Sequence, residues 1–147
     1  MAGFEDQARA ALAAKGTAEQ ELARLALCPP WRHAAFAGVV ATLVVAPAVS
    51  LPLRFGVLAA VFASIFLIVR SDRRRLGVFI NGYRRGRTRL VTFPMLGIIL
   101  GLYIGSLYCS EELGRPKLSI IFSVAAFAIG YLGSALWQKV FVRELGA

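Results

Sequence analysis

The sequence predicts an all-α integral membrane protein: four transmembrane helices in two hairpins, preceded by an amphipathic N-terminal helical element. Three observations predict it. Hydrophobic residues make up 58% of the 147 residues and charged residues only 17%, with a mean hydropathy of +0.67. Four apolar runs approach the ~20 residues that a helix needs to cross a ~30 Å hydrocarbon core. Most of the +9 net charge is gathered between the second run and the third. A soluble domain usually carries about 25% charged residues, so this balance excludes an ordinary soluble domain, and it excludes disorder as well.

Residues 1–30 form a separate element. They are alanine-rich, with Leu12, Leu22, Leu25 and Leu27 at positions that suit a helix. Gly16 fits the residue just past a helix end, and Thr17 with Gln20 matches a capping box. Pro29-Pro30 closes the segment. The expectation is a short helical hairpin on the cytoplasmic membrane surface. Glu5 and Asp6 replace the basic stretch that opens a secretory signal peptide, so none is expected.

The transmembrane domain is expected over 31–147. Its first span covers about 34–50, with Pro47 kinking the last turn. The second covers about 53–69. Its apolar stretch is short, bounded by Arg54 and Arg70, both able to snorkel to the interface. A re-entrant hairpin made of these two segments is the rival reading. The third span covers about 90–109 and the fourth about 118–137. Gly114 and Pro116 mark the turn between them.

Residues 70–89 are the basic linker. Eight arginines, Arg70, Arg73, Arg74, Arg75, Arg84, Arg85, Arg87 and Arg89, face a single acid, Asp72. Four spans place this linker and both termini on one side, with 14 basic residues against 3 on the other. The positive-inside rule makes that side cytoplasmic, and a bacterial-type inner membrane is the expected location. Trp31, Tyr108 and Trp137 fall near span ends, as an interfacial aromatic belt requires.

Two features are candidates for function. Within the linker, Leu76, Phe79, Ile80 and Tyr83 share one helical face, flanked by arginines. Such a segment anchors to anionic lipids through charge and apolar contact. Arg73, Arg74, Arg75, Arg84, Arg85 and Arg87 are the candidate lipid or phosphate ligands, because guanidinium grips phosphate through two parallel bonds. The stacking aromatics required by single-stranded nucleic acid are missing from this pattern, so nucleic acid is not an expected partner.

The second feature is a lattice of small residues at four-residue spacing. It comprises Gly97, Gly101 and Gly105 in the third span and Ala126, Gly130 and Ser134 in the fourth. Gly56, Ala60 and Ser64 follow the same spacing in the second, and Gly38, Thr42 and Ala46 in the first. Such faces let helix backbones approach closely, within a bundle or between subunits. Expected partners are therefore a second copy of the chain or other membrane subunits.

Catalysis has little to stand on. The one histidine, His33, lies five residues after Cys28, and two ligands are too few for a metal site. No carboxylate lies within a span, which argues against proton- or cation-coupled transport. No cofactor and no enzymatic activity are expected. After Trp31, the outline of four short spans, cytoplasmic ends and a basic central linker resembles that of GtrA-like polyprenyl-lipid translocation proteins. The resemblance is one of topology and implies transport of a phosphorylated lipid. Three functional readings follow: an accessory or self-associating bundle acting through helix contacts, a flippase for a phosphorylated lipid, or an oligomeric pore-forming effector.

The topology is checked by cysteine labelling in a Cys28→Ser/Cys109→Ser background. Glu112→Cys should react with a membrane-impermeant reagent from outside intact cells. Arg75→Cys should react only once the membrane is opened, and labelling of that variant from outside would reverse the orientation.

Overall fold

The structure, a computed structural model, describes residues 2–25, 27–76 and 86–144. The described residues form five α-helices and one short 3₁₀ turn: α1 (Ala2–Leu25), α2 (Pro30–Val45), η1 (Ala46–Ala48), α3 (Leu51–Leu76), α4 (Arg89–Glu111) and α5 (Leu118–Glu144). Among the described residues, four stretches are long and apolar enough to cross a membrane: Pro30–Ala48, Leu51–Arg74, Arg89–Glu111 and Leu118–Glu144, with mean hydropathies of 1.3, 2.2, 2.0 and 1.9. By helix length and hydropathy this is a multi-pass membrane protein.

Three local features differ from the sequence reading. The expected interruption at Gly16 is absent, and α1 runs unbroken through it. The Thr17 hydroxyl donates to the Ala13 carbonyl at 3.0 Å, so it is satisfied inside the helix instead of capping a new one. Glycine costs a helix only about 1 kcal/mol relative to alanine, and the flanking alanines absorb that. Second, α2 begins at Pro30, ahead of the expected start of the first span. Proline is tolerated there because the first N–H groups of a helix have no intrahelical partner. Third, α3 continues to Leu76, so the first part of the arginine linker is helix. Arginine is a good helix former, and charge alone does not end a helix.

The turns follow from elementary constraints. Pro47 has no N–H to continue α2, and the chain tightens into η1 before Val49 turns extended. Ser50 then accepts the first bond of α3, from the Arg54 N–H at 2.9 Å. At the end of α4, Gly114 takes a φ of +60°, a left-handed conformation that glycine adopts without Cβ strain. The Arg115 N–H reaches back six residues to the Cys109 carbonyl at 2.9 Å, satisfying one of the acceptors that the helix end leaves open.

The bundle is built around α2. A third (33%) of the first span is buried inside the molecule, against 17% of the fourth and 6% each of the second and third. α2 packs antiparallel along α5, matching four-residue steps on each helix: His33 meets Ser134, and one turn on Ala37 meets Gly130. A Cβ on Gly130 would lie 3.3 Å from the Ala37 Cα, so the two backbones touch where neither has bulk. Val40, Val44, Ile99 and Ala126 form the buried centre, with Phe36, Met95, Leu102, Tyr103, Phe122 and Ile129 packed round it.

Serine hydroxyls tie the helices together. Ser106 donates to the Val44 carbonyl at 2.6 Å, Ser119 to the Ser106 carbonyl at 3.2 Å and Ser123 to the Ala41 carbonyl at 2.9 Å. Ser110 donates to the Pro47 carbonyl at 2.6 Å. In hydrocarbon no water competes for these groups. Ser64 and Thr92 bond instead within their own helices, to the carbonyls of Ala60 and Thr88. α3 lies at the periphery, packing chiefly along α2 and η1.

Two substitutions rank these contacts. Gly130→Leu should lower stability in detergent by about 1–3 kcal/mol, the usual cost of overpacking. Ser106→Ala should lower it by about 0.6 kcal/mol, the average for a hydrogen bond between membrane helices. Thermal unfolding of both variants checks the order, and a Gly130→Leu protein as stable as wild type would mean that the α2–α5 contact is looser than described.

Candidate functional sites

The two ends of the bundle are held by different ion pairs. At one end lie the start of α2, the end of α3, the start of α4 and the end of α5. Here Arg32 of α2 grips Asp72 of α3 at two points, through Nη2 to Oδ2 and through Nε to Oδ1 at 3.4 Å. Both side chains are largely buried, 25% and 19% exposed. Asp72, the only acid of the linker, is therefore committed to the first span. Close by, the Arg87 backbone N–H donates to the Glu144 carboxylate at the end of α5. At the opposite end Arg54 of α3 pairs with Glu111 of α4 at 2.6 Å. The same guanidinium nitrogen donates to the Pro47 carbonyl at 2.9 Å, one of the backbone acceptors left where α2 breaks off. Nothing in the sequence around Arg54 or Glu111 discloses this pairing, which depends on α3 and α4 becoming neighbours at this end.

The candidate phosphate ligands are only partly brought together. Arg73 and Arg74 lie on one face of α3 with Arg70, Val69 and Phe66, and these five residues line a surface hollow of about 370 Å³. Arg70, absent from the candidate set, joins it through the spacing i, i+3, i+4 on a helix that extends further than expected. Arg75 belongs to the last turn of α3. Arg87 is exposed in the turn before α4 and stands outside the hollow. Arg84 and Arg85, with Phe79, Ile80 and Tyr83, lie outside the described residues.

The two main small-residue stripes have different surroundings. On α5, Ala126 and Gly130 are buried and Ser134 is half-buried; all three face the interior, where Ser134 Oγ is hydrogen-bonded to His33 Nδ1 at 2.8 Å. On α4, only Gly105 meets a neighbour, the Phe122 ring at 3.4 Å from a notional Cβ, while Gly97 and Gly101 have nothing within 4 Å. The α4 stripe therefore runs along the outside of the bundle and reaches α5 at its last glycine. Gly38 and Thr42 of α2 and Ala60 and Ser64 of α3 line an open cleft of about 490 Å³ between those helices. Gly56 stands open as well.

His33 is the residue whose place the sequence did not disclose. It is buried at 8% exposure, bonded to Ser134, and its ring meets Tyr131 edge-on with centroids 6.0 Å apart. No local pattern signals a partner a hundred residues away. Cys28 precedes α2 and Cys109 lies near the end of α4, at opposite ends of the bundle, and neither forms a disulfide. Among the described residues, no three His, Cys, Asp or Glu side chains come together as a metal site needs. Compared with models of known families, with curated proteins and with solved structures, the chain matches none.

The ion pairs differ in burial, and so should the effects of breaking them. Asp72→Asn leaves the half-buried Arg32 charge without its counter-ion, a change that costs about 3–5 kcal/mol at fully buried pairs. Glu111 is 51% exposed, and exposed pairs contribute only about 0.2–1 kcal/mol. Asp72→Asn should therefore lower the melting temperature in detergent clearly more than Glu111→Gln. Equal losses would show that the Arg32–Asp72 pair is no better shielded than the other.

Proposed function

We propose that this is a non-enzymatic membrane protein that works through helix contacts, pairing the outer face of α4 with a second copy or with another membrane subunit. One observation carries this reading: Gly97 and Gly101 are uncovered, whereas the equivalent small residues of α5 are packed against α2. A glycine facing lipid offers no side chain for packing, and it weakens the helix by about 1 kcal/mol relative to alanine. Two of them one turn apart on an outer face make sense where another backbone approaches. Buried serines and two end clamps support the role of the rest of the chain as a scaffold that presents this face. By the positive-inside rule we place the arginine-rich end in the cytoplasm, and we assign the protein to a bacterial-type inner membrane.

A second reading, translocation of a phosphorylated lipid, draws support from the α2–α3 cleft. It requires α3 to separate from α2, and Arg32–Asp72 is the contact that must open.

Native mass measurement in mild detergent tests the first reading. The wild-type chain should run as a defined oligomer or with a co-purifying membrane subunit. Gly101→Leu should remove that association without lowering the melting temperature of the isolated chain, because the position is uncovered and leucine is the better helix former. A wild-type chain that is monomeric and alone at every concentration overturns the proposal.

A further inference from the structure

The end of α3 presents charge and apolar surface in a graded order. Phe66, Val69, Arg70, Arg73 and Arg74 follow the spacing i, i+3, i+4, i+7, i+8, which is one helix face. The depth of each follows from the helix rise. Arg54 marks the opposite membrane boundary through its bonds to Pro47 and Glu111. Arg70 is about 24 Å further along the helix, near the edge of a ~30 Å hydrocarbon core. Arg73 and Arg74 stand about one turn, ~5 Å, beyond it. Phe66 and Val69 lie on the hydrocarbon side. On this scale Arg73 and Arg74 stand at the far edge of the core and Arg70 just inside it, so the hollow has an apolar side within the bilayer and guanidinium groups that snorkel to headgroup level.

The nearest acid, Asp72, turns to Arg32 on another side of α3. Arg70, Arg73 and Arg74 line one hollow, and a guanidinium group can give a phosphate paired, charge-assisted hydrogen bonds. A soluble phosphate would use the guanidinium groups and leave the apolar side unused. A molecule with an anionic phosphate and an acyl chain uses both. A volume of about 370 Å³ suits a headgroup with its first methylenes, at the small end of ligand sites.

We propose that this face of α3 binds one anionic phospholipid, with Arg70, Arg73 and Arg74 on its phosphate and Val69 and Phe66 against its acyl chain. A terminal phosphate, carrying about −1.5 to −2 charges at neutral pH, matches three guanidinium groups better than a phosphodiester with one. The site therefore prefers a phosphomonoester lipid. It does not depend on the self-association of α4, which lies on a different helix.

Native mass spectrometry of the full chain, delipidated in mild detergent, tests the site. The probes are phosphatidic acid, phosphatidylglycerol and phosphatidylcholine with identical acyl chains, and inorganic phosphate. One lipid should be retained per chain, with phosphatidic acid held tighter than phosphatidylglycerol and phosphatidylcholine released. Arg70→Gln/Arg74→Gln should weaken phosphatidic acid at least about tenfold, the loss of two charge-assisted contacts. Arg70→Lys/Arg74→Lys should lose most of the same affinity, because lysine lacks the paired geometry. Phe66→Ala should weaken the lipid without changing competition by inorganic phosphate. Arg115→Gln/Lys117→Gln removes two charges at the other end and should change binding less than about twofold. Circular dichroism and melting temperature confirm that each variant is folded. Full rescue by lysine, or equal loss in the Arg115/Lys117 variant, would reduce the site to diffuse charge attraction and overturn the proposal. Inorganic phosphate binding as tightly as phosphatidic acid would overturn the acyl half of it.

Discussion

The contact between α2 and α5 is the constraint on which the remaining structure depends. Ala37 and Gly130 allow two backbones to meet at a distance that a larger residue on either side would prevent. Once these helices are that close, serine hydroxyls on neighbouring helices reach carbonyls that are otherwise enclosed, as with Ser123 to Ala41 and Ser106 to Val44. In a membrane there is no hydrophobic force between helices, because lipid is as apolar as leucine. Close packing and hydrogen bonds have to supply the association. The small residues on α5 and the serines on α4 and α5 are therefore parts of one device.

Helices α3 and α4 stand in a different relation to that core. α4 contributes one side to it, through Ile99 and Ser106, and leaves its glycine face outside. α3 contributes little packing and is tied down mainly at its ends. The bundle thus has a dense side, α2 with α5, and an open side, where α3 and the outer face of α4 meet lipid. The features we assign to function all lie on the open side. A surface available for binding is one the core has not already used.

The spans were legible because length and hydropathy are local properties of the chain. Their ends were less so. The α3 helix runs on through Arg73 and Arg74, since arginine favours helix and its long side chain can leave the hydrocarbon. Gly16 looked like a break, yet a lone glycine among alanines is too weak a signal to make one. Which stripe faces inward was not legible at all. Gly97–Gly101–Gly105 and Ala126–Gly130–Ser134 have the same spacing, and in a membrane the outside of a helix is as apolar as the inside. Polarity, the property that sorts faces in a soluble protein, is missing here. The pairing of His33 with Ser134, and of Arg54 with Glu111, depends on which helices become neighbours, information that no single segment contains.

The two ion pairs on α3 have a consequence for the bilayer itself. Arg54 and Asp72 are separated by about 27 Å of helix, and each is fastened to a different neighbour at a different membrane face. A helix free at one end answers a thicker or thinner bilayer by tilting. One pinned at both ends does so only together with α2 and α4, or by stretching a pair. The distance between the pins therefore acts as a gauge of hydrocarbon thickness. It matches an average ~30 Å core or the slightly thinner bilayers found in some membranes. In a much thicker bilayer the mismatch falls on the pairs themselves, and the chain's stability becomes sensitive to lipid chain length as well as to headgroup.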